Sequence, residues 1–183
     1  MILPIYAYGS PVLRRKTKEI PKGTDLQPLV ADMYETMYAA NGVGLAAPQV
    51  GKNLRLFVID AEPMDEENLK GFKKVFVNPQ KVEETGGAQV YQEGCLSIPL
   101  IHEDVRRPDT LRLRYFDEDW NEHEETFTGL GARVIQHEYD HIEGILFTDH
   151  LPPLRRRLLK GKLGKISRGD VKIDYRMKFP DKK

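Results

Sequence analysis

The chain has 183 residues, with 28 Lys and Arg balanced by 28 Asp and Glu, 40% hydrophobic residues and a single cysteine. That length predicts one domain, residues 1–183, with enough chain to bury a core. One cysteine excludes a disulfide framework, the N-terminus has no basic region followed by an apolar run, and no apolar stretch approaches membrane-spanning length, so a soluble, cytoplasmic monomer is expected.

In chain order, Thr24-Asp25-Leu26-Gln27 reads as a capping box, and Leu26, Leu29, Val30, Met33, Met37 and Ala40 follow at helical spacing until Gly42 stops the run. Residues 54–60 and 74–78 read as strands on either side of a polar loop at 64–70. Residues 88–92 and 110–117 read as strands too, the second because Leu111, Leu113 and Tyr115 alternate with arginines. A turn at 117–122 leads into a strand at 124–128, and a helix follows at 130–142 with Leu130, Val134, His137 and His141 on one inward stripe. A further helix starts at Pro152. Gly161 and Gly164 interrupt it at a cost of ~1 kcal/mol each, so it is expected to end near 163, with 171–175 returning as a short strand on a sheet edge. With no repeated βαβ rhythm, this order predicts an α+β fold: a central metal-binding helix surrounded by mainly antiparallel β-sheets, then a helix and a short strand at the C-terminus.

The central helix carries His137-Glu138-Tyr139-Asp140-His141. Two histidines four apart project from one helix face and can share an ion, and the glutamate beside the first is the natural acceptor for a water proton there. The third ligand must come from elsewhere. The pattern HExxHxxGxxH finds Gly144 in place but Phe147 where its last histidine belongs. No glutamate lies beyond Glu143, which sits too close to His141 on the same helix. Asp149, His150 and upstream donors remain, and among these Cys95 is the strongest. A thiolate with two imidazoles suits a borderline-soft divalent ion and leaves a fourth position open. Asp140 is rotated away from the ion, so its inward-tilted carboxylate needs Arg106 or Arg107 as a partner. Farther upstream, Gly42 and Gly44 permit close backbone approach to a ligand without the context of a nucleotide site, and Gln49 offers an uncharged amide suited to a developing oxyanion.

Three blocks in this order resemble the peptide deformylase family over roughly residues 1–155: Gly42-Val43-Gly44-Leu45-Ala46-Ala47-Pro48-Gln49, Glu93-Gly94-Cys95-Leu96-Ser97 and Gln136-His137-Glu138-Tyr139-Asp140-His141. The resemblance implies hydrolysis of the N-formyl group from the first methionine of nascent peptides, with Glu138 as base and then acid. It favours Fe²⁺ on Cys95, His137 and His141, replaceable by Zn²⁺, Ni²⁺ or Co²⁺. It also implies the Leu96 backbone N–H beside Gln49 at the oxyanion, Gly44 for the peptide backbone, and a methionine pocket from Val43, Leu130 and the His137 imidazole. Tyr91, Glu93 and Gly94 are expected nearby, Tyr91 being bulkier than the aliphatic residue of the pattern. A zinc peptidase of the HExxH type is the alternative; it needs a third ligand other than Cys95 and a substrate with a free N-terminus. A structural metal site would instead close the fourth position.

The balanced charge hides an asymmetry. Residues 151–183 hold 12 Lys and Arg against 3 Asp, leaving the first 150 residues negative by the same margin. A cluster such as Arg155-Arg156-Arg157 and Lys160 is either a solvated helix face or a contact with RNA. For a deformylase, that RNA would be ribosomal and the contact would run through residues 155–168.

Overall fold

A computed structural model describes residues 1–182. Among them the strands are β1 (Ile5–Tyr6), β2 (Gly44–Ala46), β3 (Leu56–Asp60), β4 (Lys73–Cys95), β5 (Ile98–Phe116), β6 (Glu122–Thr128) and β7 (Met177–Lys178). The α-helices are α1 (Gln27–Ala39), α2 (Gly129–Ile142) and α3 (Pro153–Ser167). Strands β2 to β6 form one sheet in sequence order with every pairing antiparallel, and β1 pairs with β7 in parallel apart from it.

Strand β3 decides how the layers stack, because it is apolar on both faces. Leu56 and Val58 turn to one side and pack with Val30, Met33 and Met37 of α1. Phe57 and Ile59 turn to the other and pack with Ala132, Ile135 and Tyr139 of α2. The α2 helix is buried on nearly every side, its apolar stripe on the sheet and its polar residues against β4 and β5. The α+β expectation of a central helix held by antiparallel strands therefore describes the chain.

Three local expectations need correction. The stretches 74–78 and 88–92 are parts of one strand, β4, which pairs with β5 along a hairpin broken by register shifts at Val77/Gln80, Lys81/Glu83, Thr85/Ala88 and Glu93/Cys95. Its middle is exposed and lacks the alternation that marks a half-buried strand, so periodicity could not join the two ends. Thr24 does not cap α1: its hydroxyl donates to the Pro21 carbonyl, while Asp25 accepts the Gln27 N–H at 3.1 Å. The helix stops through Asn41, at φ 56, rather than at Gly42; the Gly42 N–H returns to the Met37 carbonyl at 2.9 Å.

The C-terminal expectation also fails. Helix α3 runs through Gly161 and Gly164 to Ser167, because Leu159, Leu163 and Ile166 bury one stripe against Ile98, Phe147 and Leu151. Burying three such side chains is worth ~1.5–3 kcal/mol each, which outweighs the two glycines at ~1 kcal/mol each. Residues 171–175 bend at 171, 174 and 175 and pair with no strand among the described residues. The short strand is β7, and it joins β1 rather than an edge of the large sheet.

A buried ion pair helps to fix α2 on β5. Arg107 donates to the Asp140 carboxylate at 2.8 Å, with both side chains buried, and His150 lies 2.7 Å from the same oxygen. Burial works against that carboxylate, but His150 and Arg107 hold it below its usual range. Asp140→Asn keeps the shape and loses the charge. It should lower unfolding stability by ~2 kcal/mol, less than the full loss of a buried pair because Arg107 keeps Glu93. Turnover should stay within about threefold; a selective loss of turnover with an unchanged denaturation midpoint would contradict this.

Candidate metal centre and active site

Two elements deliver the donor atoms. Helix α2 presents His137 and His141 one turn apart, with ring centroids separated by 5.2 Å. The β4–β5 hairpin closes through the two-residue turn Leu96-Ser97, with Cys95 paired to Ile98 immediately before and after it. That turn brings the thiol to the helix. Cys95 Sγ lies 3.3 Å from His141 Nε2, and the donor atoms of Cys95, His137 and His141 all fall within 4.8 Å of one another.

The polar surroundings orient each donor. Glu93 Oε1 is 2.8 Å from His137 Nδ1, which leaves Nε2 of that ring for the cluster. The same carboxylate accepts from Arg107 at 2.7 and 2.9 Å and from Arg133 at 2.8 Å. Burial would raise the Glu93 carboxyl, but His137 and Arg107 hold it well below the usual carboxylate range. Burial by itself lowers His137; the hydrogen bonds to Cys95 and Glu93 reverse this and raise it. His141, buried beside His137, is pushed down to about 3, so its imidazole is neutral with a lone pair to give.

Glu138 occupies a different environment from the two histidines that flank it. Burial pushes its carboxyl up to about 7. Its Oε2 is buried with no hydrogen-bond partner among the described residues. Gly44 is what admits it: a Cβ there would lie 2.6 Å from Glu138 Oε1. The helix that carries all three residues ends through Gly144, at φ +76, with the Ile145 N–H on the Asp140 carbonyl and the Gly144 N–H on the His141 carbonyl. Past that turn Phe147, which occupies the place of a metzincin histidine, stacks on His137 with centroids 5.9 Å apart.

The cluster opens into a cavity of about 710 Å³. Val43, Gly44, Gln49, Tyr91, Glu93, Gly94, Cys95, Leu96, His137 and Glu138 all line it. Leu130 is not among the lining residues; Val134, one turn along α2, is, together with Met64. Gln49 Nε2 donates to Ser97 Oγ at 3.2 Å and lies 3.5 Å from Cys95 Sγ, while its Oε1 accepts the Ala46 N–H at 3.0 Å. The amide is thereby aimed at the hairpin turn. Glu93 sits behind His137 with both oxygens engaged, so its reach is toward the cluster rather than into the open cavity.

Sequence reasoning did not find Arg133, Ser97 or the segment 172–175 at this site. Arg133 lies four residues before His137 on α2, but an arginine on a helix gives no sign of whether it is solvated or buried. Ser97 was legible only as a neighbour of Cys95.

The donor set fits a divalent ion of borderline softness: one cysteine sulfur, two imidazoles, and an unpartnered carboxylate oxygen alongside. A family profile described as polypeptide deformylase matches residues 2–157. A peptide deformylase from Cytophaga hutchinsonii is 59% identical over the whole of both chains, and one from Christiangramia forsetii is 53% identical over all of this chain and 98% of its own. The crystal structure of a peptide deformylase from Legionella pneumophila superposes with a TM-score of 0.81 at 39% identity, covering 93% of this chain and 98% of that one. These matches span the hairpin cysteine as well as the histidine helix, which sets aside the HExxH peptidase. The chain belongs to the peptide deformylase family, metal-dependent hydrolases that remove N-formyl groups from peptides.

Proposed function

We propose that Cys95, His137 and His141 hold one divalent ion and that Glu138, Gln49 and the Leu96 backbone carry out deformylation of nascent chains beginning with formyl-methionine. The observation that carries this is the buried, unpartnered Glu138 carboxylate beside the Cys–His–His cluster. The ion, when bound, would supply Lewis acidity and lower the pKa of a water toward ~7. Fe²⁺ is the physiological choice proposed, since imidazole and thiolate suit it as well as Zn²⁺, Ni²⁺ or Co²⁺.

Within that frame each residue has a task. Glu138 takes the proton of the attacking water as it adds to the formyl carbon. Charge grows on the formyl oxygen, and in this reading the Gln49 amide and the Leu96 N–H donate to it. The carbon–nitrogen bond then breaks, Glu138 returns the proton to the amine, and formate leaves. Glu93 keeps His137 in the tautomer that offers Nε2. Val43, Gly44, Tyr91 and Gly94 line the space for methionine and the peptide backbone, with Val134 on the α2 side in place of the expected Leu130. A formyl carbon carries only hydrogen, so a tight site rejects acetyl by sterics.

The 183 residues act in this reading as one catalytic domain, monomeric and cytoplasmic. Among the described residues no helix is long and apolar enough to cross a membrane. A contact with ribosomal RNA is proposed for the N-terminal half of α3. Arg156, Arg157 and Lys160 line a groove with Arg14 and Tyr8, while Arg155 is paired with Glu103.

Two outcomes are expected. The metal-loaded protein should release formate from formyl-Met-Ala-Ser, and Glu138→Gln should cut turnover by ~10³ while retaining the ion. In the metal-free form the same change should stabilise. With the folded carboxyl near 7 against 4.5 ordinarily, charging Glu138 costs nothing below pH 4.5 and progressively more as pH rises toward 7. At pH 8 Glu138→Gln should therefore gain ~3 kcal/mol in chemical denaturation, and that gain should vanish at pH 4. Metal lost together with activity would place Glu138 among the ligands.

For the basic face, charge reversal of Arg155, Arg156, Arg157 and Lys160 should abolish co-sedimentation with ribosomes at low salt, and parent binding should weaken steeply as salt is added. Unchanged binding by the reversed variant, or no binding by the parent, would leave the cluster as a solvated face.

A further inference from the structure

The cavity wall includes a stretch of chain beyond residue 157, where the family profile ends although full-length relatives align across it. After α3 the chain passes to β7 without regular structure, bending at 171, 174 and 175, and Lys172, Ile173, Asp174 and Tyr175 line the same cavity as the Cys95 cluster. Val171, Ile173 and Tyr175 are half-buried and alternate with exposed Lys172 and Asp174. This strap is fastened at both ends independently of the cavity. The Ile5 and Ala7 N–H groups donate to the carbonyls of Arg176 and Lys178 at 3.0 and 2.9 Å, and the Asp181 N–H donates to the Ser167 carbonyl at 3.0 Å. Val171, Met177 and Phe179 pack on the core that also holds Ile98 and Leu163.

The strap makes one directed contact with the hairpin turn. Tyr175 Oη donates to the Leu96 carbonyl at 2.7 Å. The next residue of that turn is held from two other sides, by Gln49 Nε2 on Ser97 Oγ at 3.2 Å and by the Tyr8 N–H on the Ser97 carbonyl at 2.9 Å. Leu96 itself packs only partly into the core, so its peptide groups depend on such fastenings for their orientation.

We infer that Tyr175 is a positioning residue for deformylation: by fixing the Leu96 carbonyl it limits rotation of the turn and keeps the Leu96 N–H aimed at the formyl oxygen. The inference rests on the proposed role of Leu96 in the deformylase reading. An oxyanion donor acts in the transition state, so loosening it lowers kcat and leaves KM nearly unchanged. A donor displaced by a fraction of an ångström is enough, since about 1 Å of misplacement can cost on the order of a hundredfold.

Tyr175→Phe removes the hydroxyl and keeps the ring. With formyl-Met-Ala and formyl-Met-Ala-Ser as substrates, kcat should fall by about tenfold on both, KM should stay within about twofold, and metal content and melting temperature should match the parent. Three results would overturn the inference: a kcat within about twofold of the parent, a loss confined to KM or growing with peptide length, or a loss that follows metal content or melting. A wall contact with downstream substrate residues gives the second result and a merely structural tyrosine gives the third. A parent that releases no formate overturns the deformylase reading and this inference with it. A parent-like Tyr175→Phe beside an active parent overturns the inference alone.

Discussion

The Glu93 carboxylate is the interaction on which the rest of the site depends. It is buried, it lies on β4 two residues before Cys95, and it joins the strand to His137 and Arg133 on α2 and to Arg107 on β5. A buried carboxylate is costly unless its partners are close and its lone pairs are used. Here two guanidinium groups and an imidazole meet both oxygens. The arrangement fixes the distance between a hairpin and a helix that are far apart in sequence, and that distance is what lets one thiol and two imidazoles converge.

Around this anchor, small and rigid features divide the chemistry between neighbouring residues. His137 and Glu138 are adjacent in sequence, yet one turns toward charged partners and the other into a space that only a glycine at position 44 leaves open. Burial without a partner pushes the Glu138 carboxyl up to about 7, near the proton affinity that the proposed base would need. The end of α2 extends the same logic. Gly144 reverses the chain so that Phe147 lies on the His137 ring, giving that imidazole an apolar cover on one side and a carboxylate on its edge.

Much of this could be read in the sequence, because the relevant signals are local. The histidine spacing follows from helix geometry within a few residues, the third ligand from the shortage of other donors, and the inward tilt of Asp140 from its place on the helix, with Arg107 found at 2.8 Å. The α+β order follows from periodicity in the half-buried segments. What was not legible depends on tertiary contacts. The exposed middle of β4 carries no period, so a strand of 23 residues looked like two. Helix α3 passes its glycines because of a core that the helix's own sequence does not reveal. Residues 171–175 alternate as a strand would, half-buried Val171, Ile173 and Tyr175 with exposed Lys172 and Asp174, but with no ladder beside them among the described residues. Glu93 looked like a residue lining the methionine pocket because its block does so, and its two arginines come from positions that nothing in the sequence links to it.

The most direct measurement is the metal affinity of Glu93→Gln, by competition with a chelator for the same ion. The variant keeps the shape of the side chain but removes the charge that holds His137, Arg107 and Arg133 together. If Glu93 sets the geometry of the cluster, affinity should fall by about 10–100-fold, with the purified protein still folded. An affinity equal to the parent's would contradict the account, since Cys95, His137 and His141 would then meet the ion without the anchor assigned to them.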